Sequence, residues 1–213
     1  MAKLSAKSAQ EKSSNSFVKT LEKESTATLH EALGKRGALP SAIKPVAQGM
    51  RVCGPAFTVA SPPMDNLLLH QALYQAKPGD VLVVTVSGHY EAGYWGEIMA
   101  VAAQARGLAG LVIDGGVRDS RELARMKFPV FSRGLCIRGT LKHGGGALNK
   151  PLTFGDVVVE PGDMVVGDDD GVVIVPKADH ATIIEKARSR VVAEDKIMDR
   201  LRAGETTLDI YKF

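Results

Sequence analysis

The chain has 213 residues, of which 45% are hydrophobic and 24% charged, with a net charge of +3. That length and balance suit one globular domain with a core of its own, and a second domain is not required. The mild charge, with few aromatics among the basic residues, gives no case for a nucleic-acid partner, and the apolar runs fall far short of the ~20 residues that a membrane helix needs.

The first 25 residues hold five lysines and three glutamates. They contain no apolar run of the secretory kind, so a cytoplasmic protein is expected. Residues 1–24 read as a disordered or loosely helical tail, with Phe17, Val18 and Leu21 as one docking stripe. The folded domain is expected over 25–213. Its first helix opens at Ser25 or Thr28. Thr28 and Glu31 have capping-box spacing, and Gly34 or Gly37 ends the helix. Residues 56–60 (AFTVA) form a strand stopped by Pro62 and Pro63. Asp65 caps a helix to about Ala76, with Leu68, Leu69, Ala72 and Leu73 inward. After the turn Lys77-Pro78-Gly79-Asp80, residues 81–86 are a wholly apolar strand of the buried kind. Residues 87–94 are a loop, 97–106 a helix closed by Gly107, and 111–113 a strand. Asp114-Gly115-Gly116 is read as a turn, followed by a helix over 120–126 and a strand over 130–132. Strands alternating with helices imply a parallel sheet with crossover helices.

The pattern then changes. Residues 138–150 are Gly-rich and basic and read as a mobile loop. Short β segments follow at 152–154, 157–159, 164–166 and 172–175, so this half is expected to be antiparallel. Pro-Gly-Asp precedes a valine-rich strand twice, at Pro78 and Pro161, which is shared turn chemistry. Asp179 caps a long helix to about Leu201, ended by Gly204. The apolar Leu208, Ile210, Tyr211 and Phe213 pack on the core or on a neighbouring subunit.

Several motifs point away from common chemistries. Cys53 and Cys136 match no zinc spacing and read as buried thiols. The five histidines show no paired ligand spacing, and there is no G-x-S-x-G elbow. Asp114-Gly115-Gly116 lacks the rest of a dinucleotide fingerprint. Asp168-Asp169-Asp170-Gly171 lacks the spaced ligands of a calcium loop and reads as a tight turn.

The stretch 96–119 carries the positive signal. Gly96 and Glu97 open a helix, whose first N–H groups and partial positive charge suit a carboxylate. Arg118 follows the next strand and offers a planar fork for the same group. Glu97 and Asp119 supply two carboxylates for a hard divalent cation. Either feature alone is weak, since acids favour first turns and Arg-Asp pairs are common in turns. Their placement around one strand carries the reading.

Glu97, twenty residues, then Arg118-Asp119 resembles the signature of class II pyruvate aldolases of the 4-hydroxy-4-methyl-2-oxoglutarate / 4-carboxy-4-hydroxy-2-oxoadipate type. These enzymes share their fold with the regulator of ribonuclease E activity A. The stretches SPPMDN, GYWGE, GLVIDGGVRD, FPVFSRG, PGDMVVGDDDGVVIVP and AGETTLDIY are similar to the family as well. The resemblance implies a single α/β domain, layered β/β/α in the RraA-like, swivelling-domain manner, with parallel core strands and an antiparallel C-terminal half. It implies that backbone amides of Gly96, Glu97, Ile98 and Met99 bind the pyruvate carboxylate. Arg118 would hold pyruvate and stabilise its enolate. Asp119 would ligate Mg²⁺ or Mn²⁺, with Glu97 reaching the ion through water. Glu194, from the last helix of an adjacent subunit, would line the site and share the base's role with Glu97. Asn66 and Lys142 would lie near the distal carboxylate. The partners implied are a small keto acid and further copies of the chain, as trimers paired into hexamers with sites between subunits. The implied reaction is metal-dependent aldol cleavage of a 4-hydroxy-2-oxo di- or tricarboxylic acid to pyruvate and a second keto acid, with oxaloacetate decarboxylation on the side. The alternative is a non-catalytic regulator that binds and inhibits a ribonuclease. Those regulators lack the acid at the position of Glu97, whose presence favours the aldolase branch.

Overall fold

Apolar segments paired side by side set the frame. The computed structural model describes residues 16–213. Residues 16–21 are helical, and α1 (Thr26–Ala32) and β1 (Lys44–Pro45) follow. The alternating half comprises β2 (Val52–Ala60), α2 (Leu67–Gln75), β3 (Val81–Thr85), β4 (Gly93–Trp95), α3 (Glu97–Ala105), β5 (Gly110–Val117), α4 (Ser120–Met126) and β6 (Val130–Leu135). The C-terminal half comprises β7 (Ala147–Leu148), β8 (Leu152–Phe154), β9 (Val157–Val159), β10 (Met164–Asp168), β11 (Gly171–Val175), α5 (Ile183–Arg202) and α6 (Thr207–Tyr211).

The main sheet runs β1-β6-β5-β3-β2-β10-β11, with β4 on β5 and β7 on β2. Strands β2, β3, β5 and β6 are parallel neighbours, as their crossover helices require. β10 is antiparallel to both β2 and β11, and β8 pairs with β9 in a separate ribbon. The sheet nearly closes on itself. The N–H of Leu39 donates to Val172 O (2.9 Å) beside β11, and Lys44–Pro45 then pairs with β6 at the other end. The result is the expected single α/β domain with parallel core strands and an antiparallel C-terminal half, its mixed sheet nearly barrel-shaped.

Side-chain alternation puts apolar residues on both faces of the central strands. Leu82 and Val84 of β3 and Leu111 and Ile113 of β5 pack outward with Leu69, Leu73, Ala100 and Leu123 of the crossover helices. Val81, Val83 and Val112 point the other way, into a core with Phe131, Val165, Ile174 and the ribbon residue Phe154. A third cluster joins Leu29 of α1 and Ile183 and Ala187 of α5 to Val166 and Val173. Leu21 is fully buried in that cluster, with Phe17 and Val18 against it. The rest of the expected tail, residues 1–15, lies outside the described residues. No helix among the described residues is long and apolar enough to cross a membrane.

Several expectations are corrected in detail. Asp114, Gly115 and Gly116 are not a turn but lie inside β5, buried throughout. Their glycines serve close approach: a Cβ on Gly116 would stand 2.6 Å from Ala92 O and 2.8 Å from Cys136 Cβ. The β5–β6 register shifts between Ile113 and Gly116, so this strand is bent where β4 joins it. Ser25, not Thr28, caps α1: its hydroxyl accepts from Thr28 N (3.0 Å). Asp168 also receives Thr26 N (2.9 Å) and Thr26 Oγ1 (2.6 Å), so the acidic turn serves to anchor α1. The long helix begins at Ile183, after a short 3-10 turn at Lys177–Asp179. The segment 138–150 is tied down rather than loose: Leu141 N donates to Met64 O (2.6 Å), and β7 pairs with β2. Leu208, Tyr211 and Phe213 stay exposed on the single chain. Both Pro-Gly-Asp turns use the same bond, with Asp80 accepting from Lys77 N (2.8 Å) and Asp163 from Glu160 N (2.9 Å). Both cysteines are free and half-buried, and burial pushes the Cys53 thiol up to about 12.

Because Gly116 is packed from both sides, Gly116→Ala should lower unfolding stability by about 1–3 kcal/mol. A urea midpoint shift measures it, and an unchanged midpoint would show that the neighbouring strand yields freely.

Candidate active site

The carboxyl end of a parallel strand is where a sheet of this type opens a crevice. Here β5 ends at Val117 and delivers Arg118 and Asp119. The N–H of Arg118 donates to Trp95 O (2.9 Å), which fixes the chain against β4. Asp119 adopts a left-handed backbone (φ 57°), a region that Asp tolerates better than most residues. That conformation turns its carboxylate toward α3, where Oδ2 accepts from Glu97 N (3.0 Å). Gly96 must lack a side chain, because a Cβ there would collide with Asp119 Oδ2. Gly93 is required by the neighbouring segment, since a Cβ there would collide with the backbone oxygen of Cys136.

A cavity of about 250 Å³ lies over this junction. Gly96, Ile98, Met99, Arg118, Asp119, Asn66 and Lys142 all line it, and Asn66 Nδ2 lies 3.6 Å from Met99 Sδ. The first turn of a helix has N–H groups without intrahelical partners. Asp119 takes that of Glu97, so Ile98 and Met99 are the first-turn amides left for a ligand carboxylate. The Arg118 guanidinium stands 4.0 Å from Asp119 Oδ2 and is about half exposed. Lys142 Nζ donates to Asn66 Oδ1 (3.2 Å), and Asn66 Nδ2 donates to Tyr94 O (2.9 Å).

Asp65 joins the segments that carry Asn66 and Lys142. Its buried carboxylate accepts from the N–H groups of Leu67 (2.9 Å), Gly144 (3.3 Å) and His143. It serves the first turn of α2 from one position before the cap, Asn66, and ties the helix to the Lys142 segment. Burial pushes its carboxyl up, but those backbone donors and the nearby His143 outweigh it and hold the group below the usual carboxylate range.

Two expected residues are not brought into the cavity. Glu97 begins α3, but its side chain is exposed and outside the lining. Glu194 lies on α5, ion-paired with Arg190 (2.8 Å) and also outside it. His70 and Trp95 line the cavity and were not anticipated. The indole N–H of Trp95 is buried without an acceptor among the described residues. His70 was legible only as Asn66 plus four on an apolar-faced helix, a position that a sequence assigns to packing as readily as to a site.

The donor set suits a hard, well-hydrated divalent ion. No cluster of three His, Cys, Asp or Glu residues exists among the described residues. Asp119 offers Oδ1, which accepts no hydrogen bond from the described protein groups. Mg²⁺ commonly takes one or two carboxylates, keeps several waters and completes its shell from a ligand's oxygens. One open carboxylate beside an anion-binding helix end fits that habit.

The family model described as RraA-like: Aldolase/RraA matches residues 26–174. A protein of Halalkalibacterium halodurans named "Putative 4-hydroxy-4-methyl-2-oxoglutarate aldolase" is 38% identical over 175 residues, covering 82% of this chain and 83% of its own. A crystal structure of an uncharacterized protein from Pseudomonas syringae pv. tomato superposes with TM-score 0.79 at 34% identity, over 90% of this chain and 91% of that one. RraAS2 of Streptomyces coelicolor, described as an unusual member of the RNase ES inhibitor RraA family, superposes with TM-score 0.74 at 30% identity, over 86% and 96%.

Asp65→Asn should lower stability by about 1–3 kcal/mol at neutral pH, since charge-assisted bonds to buried N–H groups are lost. The folded carboxyl sits below its unfolded value of about 3.9, so its contribution is present above that pH and lost as pH falls through the folded value. The gap between the two proteins in denaturant melts should therefore narrow below about pH 4. A gap independent of pH would contradict the assignment.

Proposed function

This chain belongs to the RraA-like (Aldolase/RraA) family, and on that premise we propose that it is a divalent-metal-dependent pyruvate aldolase. Its substrate is a 4-hydroxy-2-oxo di- or tricarboxylic acid of the 4-hydroxy-4-methyl-2-oxoglutarate or 4-carboxy-4-hydroxy-2-oxoadipate kind. The observation that carries the reading is one cavity lined both by Arg118 with the start of α3 and by Lys142 with Asn66. That arrangement suits a keto acid with an anionic group at each end.

The amides of Ile98 and Met99 bind the C1 carboxylate at the positive end of α3. Asp119 would hold Mg²⁺ or Mn²⁺ directly and Glu97 would reach it through water; the ion would supply a Lewis acid for the keto oxygen. A carboxylate, Glu97 or a neighbouring subunit's Glu194, receives the C4 hydroxyl proton through water. The C3–C4 electron pair then passes to the pyruvate fragment as an enolate, and the second keto acid leaves. Arg118 stabilises the negative charge that develops on the enolate oxygen. Protonation at C3 gives pyruvate. Oxaloacetate reaches the same enolate by losing CO₂, so decarboxylation accompanies the aldolase activity. No lysine imine is required.

The site lies between subunits of a trimer, paired into a hexamer, in this reading. Ile98 of the cavity wall is 80% exposed, and Ile137, two residues before the lining Gly139, is 93% exposed. Apolar side chains so placed at the cavity's edge fit coverage by a second copy. The likeness to RraAS2 supports a second reading, a regulator that binds a ribonuclease without catalysis.

A lactate dehydrogenase-coupled assay decides between them. Pyruvate should form from oxaloacetate and 4-carboxy-4-hydroxy-2-oxoadipate when Mg²⁺ is restored to chelated protein. Arg118→Ala should lower the rate at least about 100-fold. Near-normal turnover in that variant would sink the assigned role, and no pyruvate with metal present would favour the regulator.

A further inference from the structure

We propose that His70 is a specificity-determining residue, whose imidazole N–H binds the distal carboxylate of the substrate beside Lys142. The inference rests on the keto-acid reading of the cavity and assigns a group for which that reading has no role.

Helix α2 places Asn66 and His70 four residues apart, on one face, and both line the cavity. Asn66 is already committed, accepting from Lys142 Nζ and donating to Tyr94 O. His70 is not. Its ring is half-buried, and neither nitrogen hydrogen-bonds a described residue. A histidine that only packs would ordinarily be closed off or paired. This one is open to a cavity of mixed polar and apolar lining that also holds the Lys142 side chain.

Its charge state fits the role. Burial and then the Lys142 ammonium hold the imidazole below its ordinary value, so it is neutral near pH 7. A neutral ring retains one N–H donor. It therefore adds a directional donor to the point charge of Lys142 without adding a second charge to be desolvated. A carboxylate between the two receives an ion-paired bond from the ammonium and a charge-assisted bond from the neutral N–H. A substrate whose C4 carries only methyl or hydrogen leaves both donors unmatched, and sites built to hydrogen-bond reject such analogues strongly.

The test measures calorimetric binding of two ligands to the Mg²⁺-loaded protein. Oxalate is too short to reach beyond the Arg118 end. 2-Oxoadipate carries the same keto-acid head and a distal carboxylate, and lacks the C4 hydroxyl needed for cleavage. His70→Ala should weaken 2-oxoadipate about tenfold and leave oxalate within about twofold, which also reports that the variant is folded. His70→Gln, which keeps an N–H donor, should recover much of the loss. In turnover of the tricarboxylic substrate, His70→Ala should raise KM by about the same factor while changing kcat little. Unchanged 2-oxoadipate affinity, or equal weakening of both ligands, would overturn the proposal. If the wild type binds oxalate but releases no pyruvate, the catalytic reading fails, and the 2-oxoadipate comparison still decides the role of His70. If the wild type binds neither ligand, the cavity is not a keto-acid site and both fall.

Discussion

The hydrogen bond from Glu97 N to Asp119 Oδ2 is the contact on which the site depends. It joins the start of α3 to the end of β5, two elements separated by the whole length of the helix and strand. Two unusual features accompany the bond. Asp119 takes a left-handed backbone, and Gly96 forgoes a Cβ that would meet Asp119 Oδ2. A left-handed non-glycine residue costs of order 1 kcal/mol and persists only where its surroundings fix it. Here what fixes it is the same carboxylate that offers a free oxygen to the cavity. Structure and chemistry therefore share one side chain.

The surrounding fold supplies rigidity from several directions. The apolar strands β3 and β5 bury both faces, so the end of β5 has little freedom to shift. The Asn66 and Lys142 side of the site has its own anchor. Asp65 gathers three backbone N–H groups and binds the start of α2 to the segment carrying Lys142. Asn66 then bridges Lys142 to the Tyr94 carbonyl on β4, the strand that leads into α3. Each part of the site is thus built on a carboxylate that accepts backbone amides. One of these, Asp65, is buried and structural, whereas Asp119 is partly open.

The order of strands and helices was legible because both periods were clean. The apolar run at 81–86 and the alternating half announced a parallel sheet, and the turn-rich half announced antiparallel pairing. The grouping of Gly96, Ile98, Met99, Arg118, Asp119, Asn66 and Lys142 was legible through family resemblance, and the chain brings all seven to one cavity. What escaped was decided by tertiary contact. Asp114-Gly115-Gly116 looks like a turn by composition, yet the glycines sit in a strand because neighbouring backbone and side chains approach too closely for a Cβ. The basic segment 138–150 looks loose by composition, but Asp65, far away in sequence, binds it. His70 carried no signal of its own, since a lone histidine on an amphipathic helix reads first as packing. Within one chain the Glu194 carboxylate is taken by Arg190.

The central claim is that Arg118 and the Asp119 junction stabilise a pyruvate enolate, whatever substrate delivers it. Deuterium exchange into the methyl group of pyruvate, followed by proton NMR in D₂O, reads that property without knowledge of the substrate. The account predicts exchange well above the buffer rate with Mg²⁺ or Mn²⁺ present, abolished by chelation and in Arg118→Ala. Exchange no faster than buffer in the metal-loaded wild-type protein would contradict it.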